Sequence, residues 1–383
     1  MAALLFLLAL VYPFVIYPLL LRALAMLALR PPLETSANLS LRTDIVICAY
    51  NEEVCIGEKV ENCLRIAAAY PDIRIHVYSD GSSDGTASIL KSFGDRIDAV
   101  ISTQRQGKSV GMNTLLERCD GDIVVFTDAN VMITEATFGS LWGYFADPSV
   151  GCVCGNLNYT NTQEGNVAEM GAQYWRGEER LKHLETQIGS AMGADGALFA
   201  IRTKLFRTVP SDIIDDMFTS MSIALAGHRI VQALDFSATE RSTTRNAEEF
   251  RRKVRIACRA FNCHRLLSPQ IWRMPASFVF CYVSHKLLRW LSGFWLVLAT
   301  VFLALWSLSS QQTWLLALLV LGAAVLLVAR WRPLGPLTSV AHGLEMMLAT
   351  SWGVVESLRG KRYQTWSAAP TSRSAAGAAD GQS

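Results

Sequence analysis

Hydrophobic residues are spread unevenly along the 383-residue chain. Residues 2–21 (AALLFLLALVYPFVIYPLLL) carry no charge. About 20 apolar residues rising about 1.5 Å each match a hydrocarbon core of about 30 Å. Pro13 and Pro18 would kink such a helix, which a bilayer tolerates. No basic stretch precedes the run and no small-residue cleavage site follows it promptly, so an anchor over residues 1–30 is expected rather than a removed leader. Arg22, Arg30 and Arg42 follow it, and the positive-inside tendency then puts the next domain in the cytoplasm. Residues 278–308 and 313–329 are again long and apolar. The first carries an amphipathic lead-in with His285, Lys286, Arg289 and Trp290, so its crossing is expected to begin near Leu291. Residues 334–358 include His342 and Glu345 and are flanked by Arg359, Lys361 and Arg362, which favours a helix that does not cross. Residues 275–358 are thus expected to form interfacial and transmembrane helices, and the Ala/Ser/Gly-rich residues 367–383 a disordered tail.

Between these ends, residues 42–274 are long enough for one α/β domain. DIVIC (44–48), IRIHVY (73–78), Ala99–Ser102 and DIVVF (122–126) read as short buried strands. Helical patterns over 52–69, from about Thr86, and over 109–118 alternate with them. That alternation predicts a mostly parallel, doubly wound sheet. Ligands of such sheets bind outside the carboxyl ends of the strands, and the polar residues collect there. Asn51 and Glu52 follow the first strand, Asp80 and Gly81 the second, Gly107 and Lys108 the third, Asp128 and Asn130 the fourth.

Composition narrows the class. Hydrophobic residues make up 51% and charged residues 18%, against about 25% charged in an average soluble domain. A disordered chain, a basic nucleic-acid binder and a disulfide-stapled secreted module are disfavoured, and the net charge of +2 names no partner. Nine cysteines, odd in number and without a CxxC pair, fit reduced thiols in a cytoplasmic domain. Cys152 and Cys154 read as alternate positions of one strand, and no zinc site is expected.

Asp128-Ala-Asn130 is the sharpest chemical signal. Residues i and i+2 at a strand end point the same way, so both side-chain oxygens could face one hard cation such as Mg2+ or Mn2+. Asp and Asn at a turn also bond local backbone. Asp80 could serve a base or ribose while Asp84 caps the next helix. Lys108 could face a phosphate, although the P-loop pattern is absent. Asp215 and Asp216 open an expected helix over 217–225, where acidic residues suit the helix dipole. They could equally supply a general base. Arg251, Arg252, Lys253, Arg255 and Arg259 crowd another helix, facing either anionic lipid or a leaving diphosphate.

Taken together, these segments resemble the membrane-integrated family 2 glycosyltransferases of GT-A fold, the inverting enzymes that include exopolysaccharide, hyaluronan and cellulose synthases. The resemblance runs from about Thr43 to His264. IVICAYNEE (45–53) resembles the nucleotide-binding start, which implies Ala49, Tyr50 and Glu52 near the base. YSDGSSDGT (78–86) is the most specific match and implies that Asp80 contacts uracil or ribose. Gln106-Gly107-Lys108 with Asn113 resembles the segment that approaches the diphosphate. FTDAN (126–130) is similar to the D-x-D metal motif, with Asn130 in place of the second carboxylate. GADGALFAIR (193–202) resembles the segment lining the donor sugar, which implies a role for Gly196. Asp215-Asp216 sits where the family has Glu-Asp, so Asp216 inherits the base role. Arg252 and Arg255 stand in the Q/R-x-x-R-W motif of processive members, whose Trp is Ile256 here.

The resemblance implies an inner-membrane, multi-pass transferase with a cytoplasmic catalytic domain and a Mg2+ or Mn2+ cofactor. It would move a sugar from a nucleotide-diphospho-sugar, UDP-linked, to a lipid-linked or polysaccharide acceptor, alone or with other biosynthetic proteins. The alternative is a catalytically degenerate, membrane-anchored nucleotide-sugar-binding or scaffold protein. A transporter is disfavoured because the apolar spans are few and carry little buried charge.

Overall fold

The computed structural model describes residues 2–27, 35–36, 39–160, 166–240, 246–332 and 334–365. Arg30 and the expected tail, 367–383, lie outside the described residues. Two compact units divide the chain: Met1–Leu27 with Arg245–Arg362, and Ala28–Thr244 with Tyr363–Ser383. The Arg-rich helix falls in the helical unit.

The N-terminal apolar run forms α1 (Ala2–Val11), a π-helical turn at Tyr12–Ile16 that takes up Pro13, and α2 (Tyr17–Met26). The α/β unit then runs β1 (Thr43–Ala49), α3 (Ile56–Ala69), β2 (Ile73–Asp80), α4 (Thr86–Ser92), β3 (Asp98–Ser102), α5 (Lys108–Leu116) and β4 (Ile123–Asp128). Its second half is β5 (Met132–Ile133), α6 (Ser140–Tyr144), β6 (Val150–Tyr159), α7 (Asn166–Ile188), β7 (Leu198–Arg202), α8 (Asp215–Leu225) and β8 (Arg229–Glu240). All eight strands join one sheet in the order β3-β2-β1-β4-β7-β6-β8-β5. The first half is parallel, as the alternating pattern predicts. Beyond β4 the sheet becomes mixed: β7 runs antiparallel to both β4 and β6, while β6 and β8 are parallel.

Burial explains the strand sequences. Every residue of β1 is buried, as a strand covered on both faces requires. From α3, Ile56, Val60, Cys63 and Ile66 enter the core beside Ile45, Ile47 and Val125, and their spacing is that of one helical face. All nine cysteines are free thiols, and Cys152 and Cys154 lie buried within β6.

The helical unit continues with α9 (Asn246–Ile271), α10 (Ala276–Tyr282), a π turn at Val283–Leu287, α11 (Leu288–Trp290), α12 (Ser292–Ser309), α13 (Thr313–Trp331) and α14 (Pro336–Leu358). Among the described residues, Ala2–Met26 and Ser292–Ser309 are long and apolar enough to cross a membrane, and Thr313–Ala329 is a shorter apolar helix. Residues 336–358 lie against α9. A Cβ on Gly353 would stand 2.6 Å from that of Ala257, so the two helices approach closely only because position 353 is glycine. Arg265 donates to the Ser357 carbonyl at 2.9 Å in the same contact.

At the amino ends of the parallel strands, buried His76 is held from both sides. Nε2 is 2.9 Å from Asp44 Oδ1 and Nδ1 is 3.0 Å from Asp98 Oδ2, while Arg118 pairs with Asp98 at 2.6 Å. Burial alone would lower the imidazole pKa, but the bonds to Asp44 and Asp98 outweigh it and hold it above the usual value. Asp98 is held below its usual value by Arg118. Asp44 is also held low, because its bonds to His76 and the Gly121 amide outweigh burial. A raised histidine contributes stability that is complete below its unfolded pKa of about 6.5 and is lost as pH rises through the folded value. The depressed carboxylates contribute stability above about 4 and lose it as pH falls further. Thermal unfolding followed from pH 6 to 9 should therefore show wild-type Tm falling more steeply with pH than that of His76→Gln. Parallel slopes would mean that the imidazole is not charged in the folded protein.

Candidate active site

The loops after β1, β2 and β3 are laced together by short polar side chains. Asn51 has a positive φ of 53°, which asparagine tolerates better than most residues. Its Oδ1 accepts the Ser83 amide at 2.8 Å, and its own amide donates to Ser82 Oγ at 3.2 Å. The buried Glu52 donates its amide to Thr86 Oγ1 at 2.8 Å. Asp84 stands one residue before Gly85, the N-cap of α4; its Oδ1 accepts the Thr86 amide at 3.0 Å and its Oδ2 the Glu53 amide at 3.1 Å. The Arg105 guanidinium lies 3.7 Å from the centre of the Tyr50 ring, a cation–π pairing.

Asp80 is fully buried at the end of β2. Its Oδ1 accepts the Gln106 amide at 2.7 Å, and its Oδ2 accepts that of Gly107 at 2.9 Å. The carboxylate thus anchors the turn that carries Lys108. Gly107 has φ +100°, and a Cβ there would collide with the Gln364 carbonyl, so glycine is required on both counts. Asn113 donates to the Val209 carbonyl and accepts its amide, both at 2.9 Å, and so pins the 209 segment to α5.

The Lys108 ammonium sits 2.7 Å from Asp128 Oδ1 and 3.3 Å from Asp215 Oδ2. Burial would lower its pKa, but the two carboxylates outweigh that and hold it well above the ordinary lysine value. Asp128 is tied to the 193–202 segment through its amide, which donates to the Ala197 carbonyl at 3.3 Å. A Cβ on Gly196 would meet Asp216 Oδ2 at 3.0 Å, so the bare Cα makes room for that carboxylate. Ser220 joins the two segments: its Oγ accepts the Ala194 amide at 2.9 Å and donates to the Asp216 carbonyl at 2.7 Å. Asp216 is pushed up to about 7, by burial first and then by the neighbouring charges of Asp215 and Asp195, against the pull of Lys108. Of the adjacent acidic pair, Asp215 bonds the ammonium and Asp216 is the one poised to exchange a proton near neutrality.

Ala49, Tyr50, Glu52, Asp80, Lys108, Asp128, Asn130, Gly196, Asp215 and Asp216 all belong to the α/β unit. Arg252 and Arg255 lie on α9 of the helical unit. Several further groups escaped sequence reasoning. Lys59 of α3 is fully buried, and its ammonium donates to Thr127 Oγ1 at 3.0 Å and to the Val131 carbonyl, gripping both sides of the Asp128 turn. Asn62, on the same helix face, pairs with both the amide and the carbonyl of Ile133 at 2.9 Å. On α7, burial pushes Glu179 up to about 7. Lys182 is buried there too, but the charges of Asp195 and its neighbours outweigh burial and hold its pKa above the ordinary lysine value. One signal was available: α3 places polar residues at 59 and 62 within its apolar stripe.

For a divalent cation the donor set fits. Asp128 offers carboxylate oxygen and Asn130 amide oxygen, both hard donors, and the Lys108 ammonium on Asp128 shows that the position already attracts positive charge.

Residues 44–209 match the family model described as Glycosyl transferase family 2. The chain is 25% identical over 206 residues to an N-acetylglucosaminyltransferase of Rhizobium meliloti, covering 49% of this chain and 48% of that protein. It is 24% identical over 194 residues to the poly-beta-1,6-N-acetyl-D-glucosamine synthase of Staphylococcus aureus, covering 48% and 46%. The chain thus spans about half the length of the curated relatives it matches. Among solved structures, the mannosyltransferase PcManGT from Pyrobaculum calidifontis, in complex with GDP-Man and Mn2+, superposes with a TM-score of 0.73 at 22% identity. That alignment covers 94% of this chain and all of the other, and shows a shared GT-A fold. With the family match, these findings support a glycosyltransferase enzyme.

The packing of the α/β unit gives two predictions. Asn62→Ala leaves the buried amide and carbonyl of Ile133 unpaired and should cost about 2–4 kcal/mol, read by denaturant unfolding. Gly196→Ala presses its methyl on Asp216 and should lower sugar transfer about tenfold or more, with little change in Tm. Unchanged transfer would show that the Asp216 carboxylate can shift freely.

Proposed function

We propose that this protein is an inverting glycosyltransferase that moves a sugar from a UDP-sugar to a lipid-linked or polysaccharide acceptor at the cytoplasmic membrane, with the α/β unit in the cytoplasm. The observation that carries the reading is the Lys108 ammonium bridging Asp128 and Asp215, beside an Asp216 whose pKa is about 7. One side of the site is built to receive a diphosphate and the other to accept a proton. The N-acetylglucosamine chemistry in the names of the two curated relatives makes UDP-GlcNAc the first donor to test. The two apolar helices support membrane association.

The chemistry is a single displacement. Asp216 takes the proton from an acceptor hydroxyl as that oxygen bonds to the anomeric carbon. The bond from that carbon to the diphosphate breaks on the opposite face, so configuration inverts and the nucleoside diphosphate leaves. Lys108 stabilises the charge that develops on the departing diphosphate. Asp128 and Asn130 would hold Mg2+ or Mn2+, which would supply further positive charge for the departing diphosphate. Asp215 holds Lys108 toward that position and raises the pKa of Asp216. Asp80 would hold the Gly107 turn within reach of the phosphates.

A base must be deprotonated to act, so transfer should rise with pH through about 7, the value set for Asp216. Full-length protein in native membranes, given labelled UDP-GlcNAc and a panel of other UDP-sugars, should show this limb by mass spectrometry of the glycan product. Asp216→Asn should lose at least about 100-fold in transfer and lose the limb, while still binding UDP. Transfer equal to wild type in both Asp216→Asn and Asp128→Ala would sink the mechanism and favour the non-catalytic, nucleotide-sugar-binding alternative.

A further inference from the structure

We propose that Glu240 is a positioning residue for the cation site, one that fixes the side-chain amide of Asn130 so that its oxygen, not its nitrogen, faces the ion. The inference rests on the reading of Asp128 and Asn130 as cation ligands. Asn130 Nδ2 donates to Glu240 Oε1 at 3.2 Å. The contact follows from the sheet. Two residues beyond Asn130 the chain enters β5, whose Met132 pairs with Thr239 and whose Ile133 pairs with Ala238 of β8. That pairing brings position 130 beside the last residue of β8. Glu240 is itself held by strand pairing with Tyr159 and by its carbonyl, which accepts the Thr160 amide at 3.1 Å.

An asparagine can present either end of its amide, and only the oxygen can bind a cation. A carboxylate accepts hydrogen bonds and donates none, so Glu240 selects the NH2 group and leaves Oδ1 as the outward atom. It also restores, one bond behind the ligand, the negative charge that Asn130 lacks. Outer carboxylates orient and polarise metal-bound histidines in the same way. The pair also accounts for the residue at 130: an aspartate there would stand carboxylate to carboxylate with Glu240 at about the same separation, and like charges so close repel. Asn130 and Glu240 therefore act as a matched pair.

Mn2+ binding to the full-length protein in detergent, followed by the EPR signal of free Mn2+ with no donor present, tests this apart from turnover. Asp128→Ala should abolish binding. Glu240→Gln, whose amide can face Asn130 with either end, should weaken it about tenfold at unchanged Tm. Asn130→Asp alone should bind no better than wild type, whereas Asn130→Asp combined with Glu240→Gln should recover wild-type affinity. If Asp128→Ala binds Mn2+ as wild type does, the cation site itself is misassigned. If Asp128→Ala loses binding while Glu240→Gln stays within twofold of wild type, the cation site stands and the role of Glu240 is overturned.

Discussion

The arrangement of the site depends on where the Lys108 ammonium sits. It bridges Asp128 at the end of β4 and Asp215 at the start of α8, and its own main chain is anchored by Asp80 through the Gly107 amide. Three elements that are far apart in sequence are thus referred to one charge. The side chains of Lys108 and Asp215 are 18% and 6% exposed. At that depth the Coulombic attraction is only weakly screened, and removal of one partner strands the other. Without the ammonium, Asp215 would be a buried carboxylate next to a second carboxylate, and one of the two would take up a proton. The distinct roles proposed for Asp215 and Asp216 follow from the ion pair that Lys108 makes with Asp215.

Behind this front row stands a layer of uncharged and oppositely charged supports. Lys59 and Asn62 grip the β4–β5 turn from α3, Asn130 is bonded from β8, and Ser220 ties α8 to the 194–196 segment. Each support joins a site-bearing turn to a helix or strand rather than to another loop. Such anchoring holds reacting groups to within fractions of an ångström. It also explains why Lys59 and Asn62 are tolerated within an apolar helix face: each meets a backbone or hydroxyl partner, so its desolvation is offset.

How much of this was legible in the sequence varies with distance along the chain. The first four strands and the residues at their ends could be read because each motif follows directly on an apolar run, and both lie within a few residues. The acidic pair at 215–216 was visible because it adjoins an apolar segment, whereas the glycine at 196 was singled out only by the resemblance of residues 193–202 to a family segment. The antiparallel β7 was not, because its direction is set by packing between β4 and β6 and leaves no periodic trace. Lys59 read as a polar position on a helix, since one sequence does not show that Thr127 and Val131 would lie above it. Asn130 looked like a weakened ligand, and the carboxylate bonded to it lies at the far end of β8. Residues 246–271 group with the helical unit, and no local pattern in the sequence shows it. The helix was foreseen, but its unit is decided by contact with α14, through glycine at 353 and serine at 357.

The cluster of Asp128, Asp195, Asp215 and Asp216 works against folding, because like charges gathered in a poorly solvated site repel. A fold selected for stability alone would protonate or disperse them. Two features limit the cost here. Half-buried Lys108 and buried Lys182 stand among these carboxylates, and both have pKa values raised above the ordinary lysine value, so each remains charged where charge is needed. Asp216 is left pushed up to about 7, by burial first and by the charges of Asp215 and Asp195 after it, because Lys108 offsets them only in part. That incomplete balance is what a general base requires. A carboxylate fully neutralised by lysine would be too weak a base to accept a proton at neutral pH. The apolar core beneath β1 and β4 carries the destabilisation, with Ile45, Ile47 and Val125 fully buried directly below the strand ends. The charge-poor composition of the chain is therefore compatible with an electrostatically demanding site: few charges are present, and those of the site are held against one another above a buried apolar core.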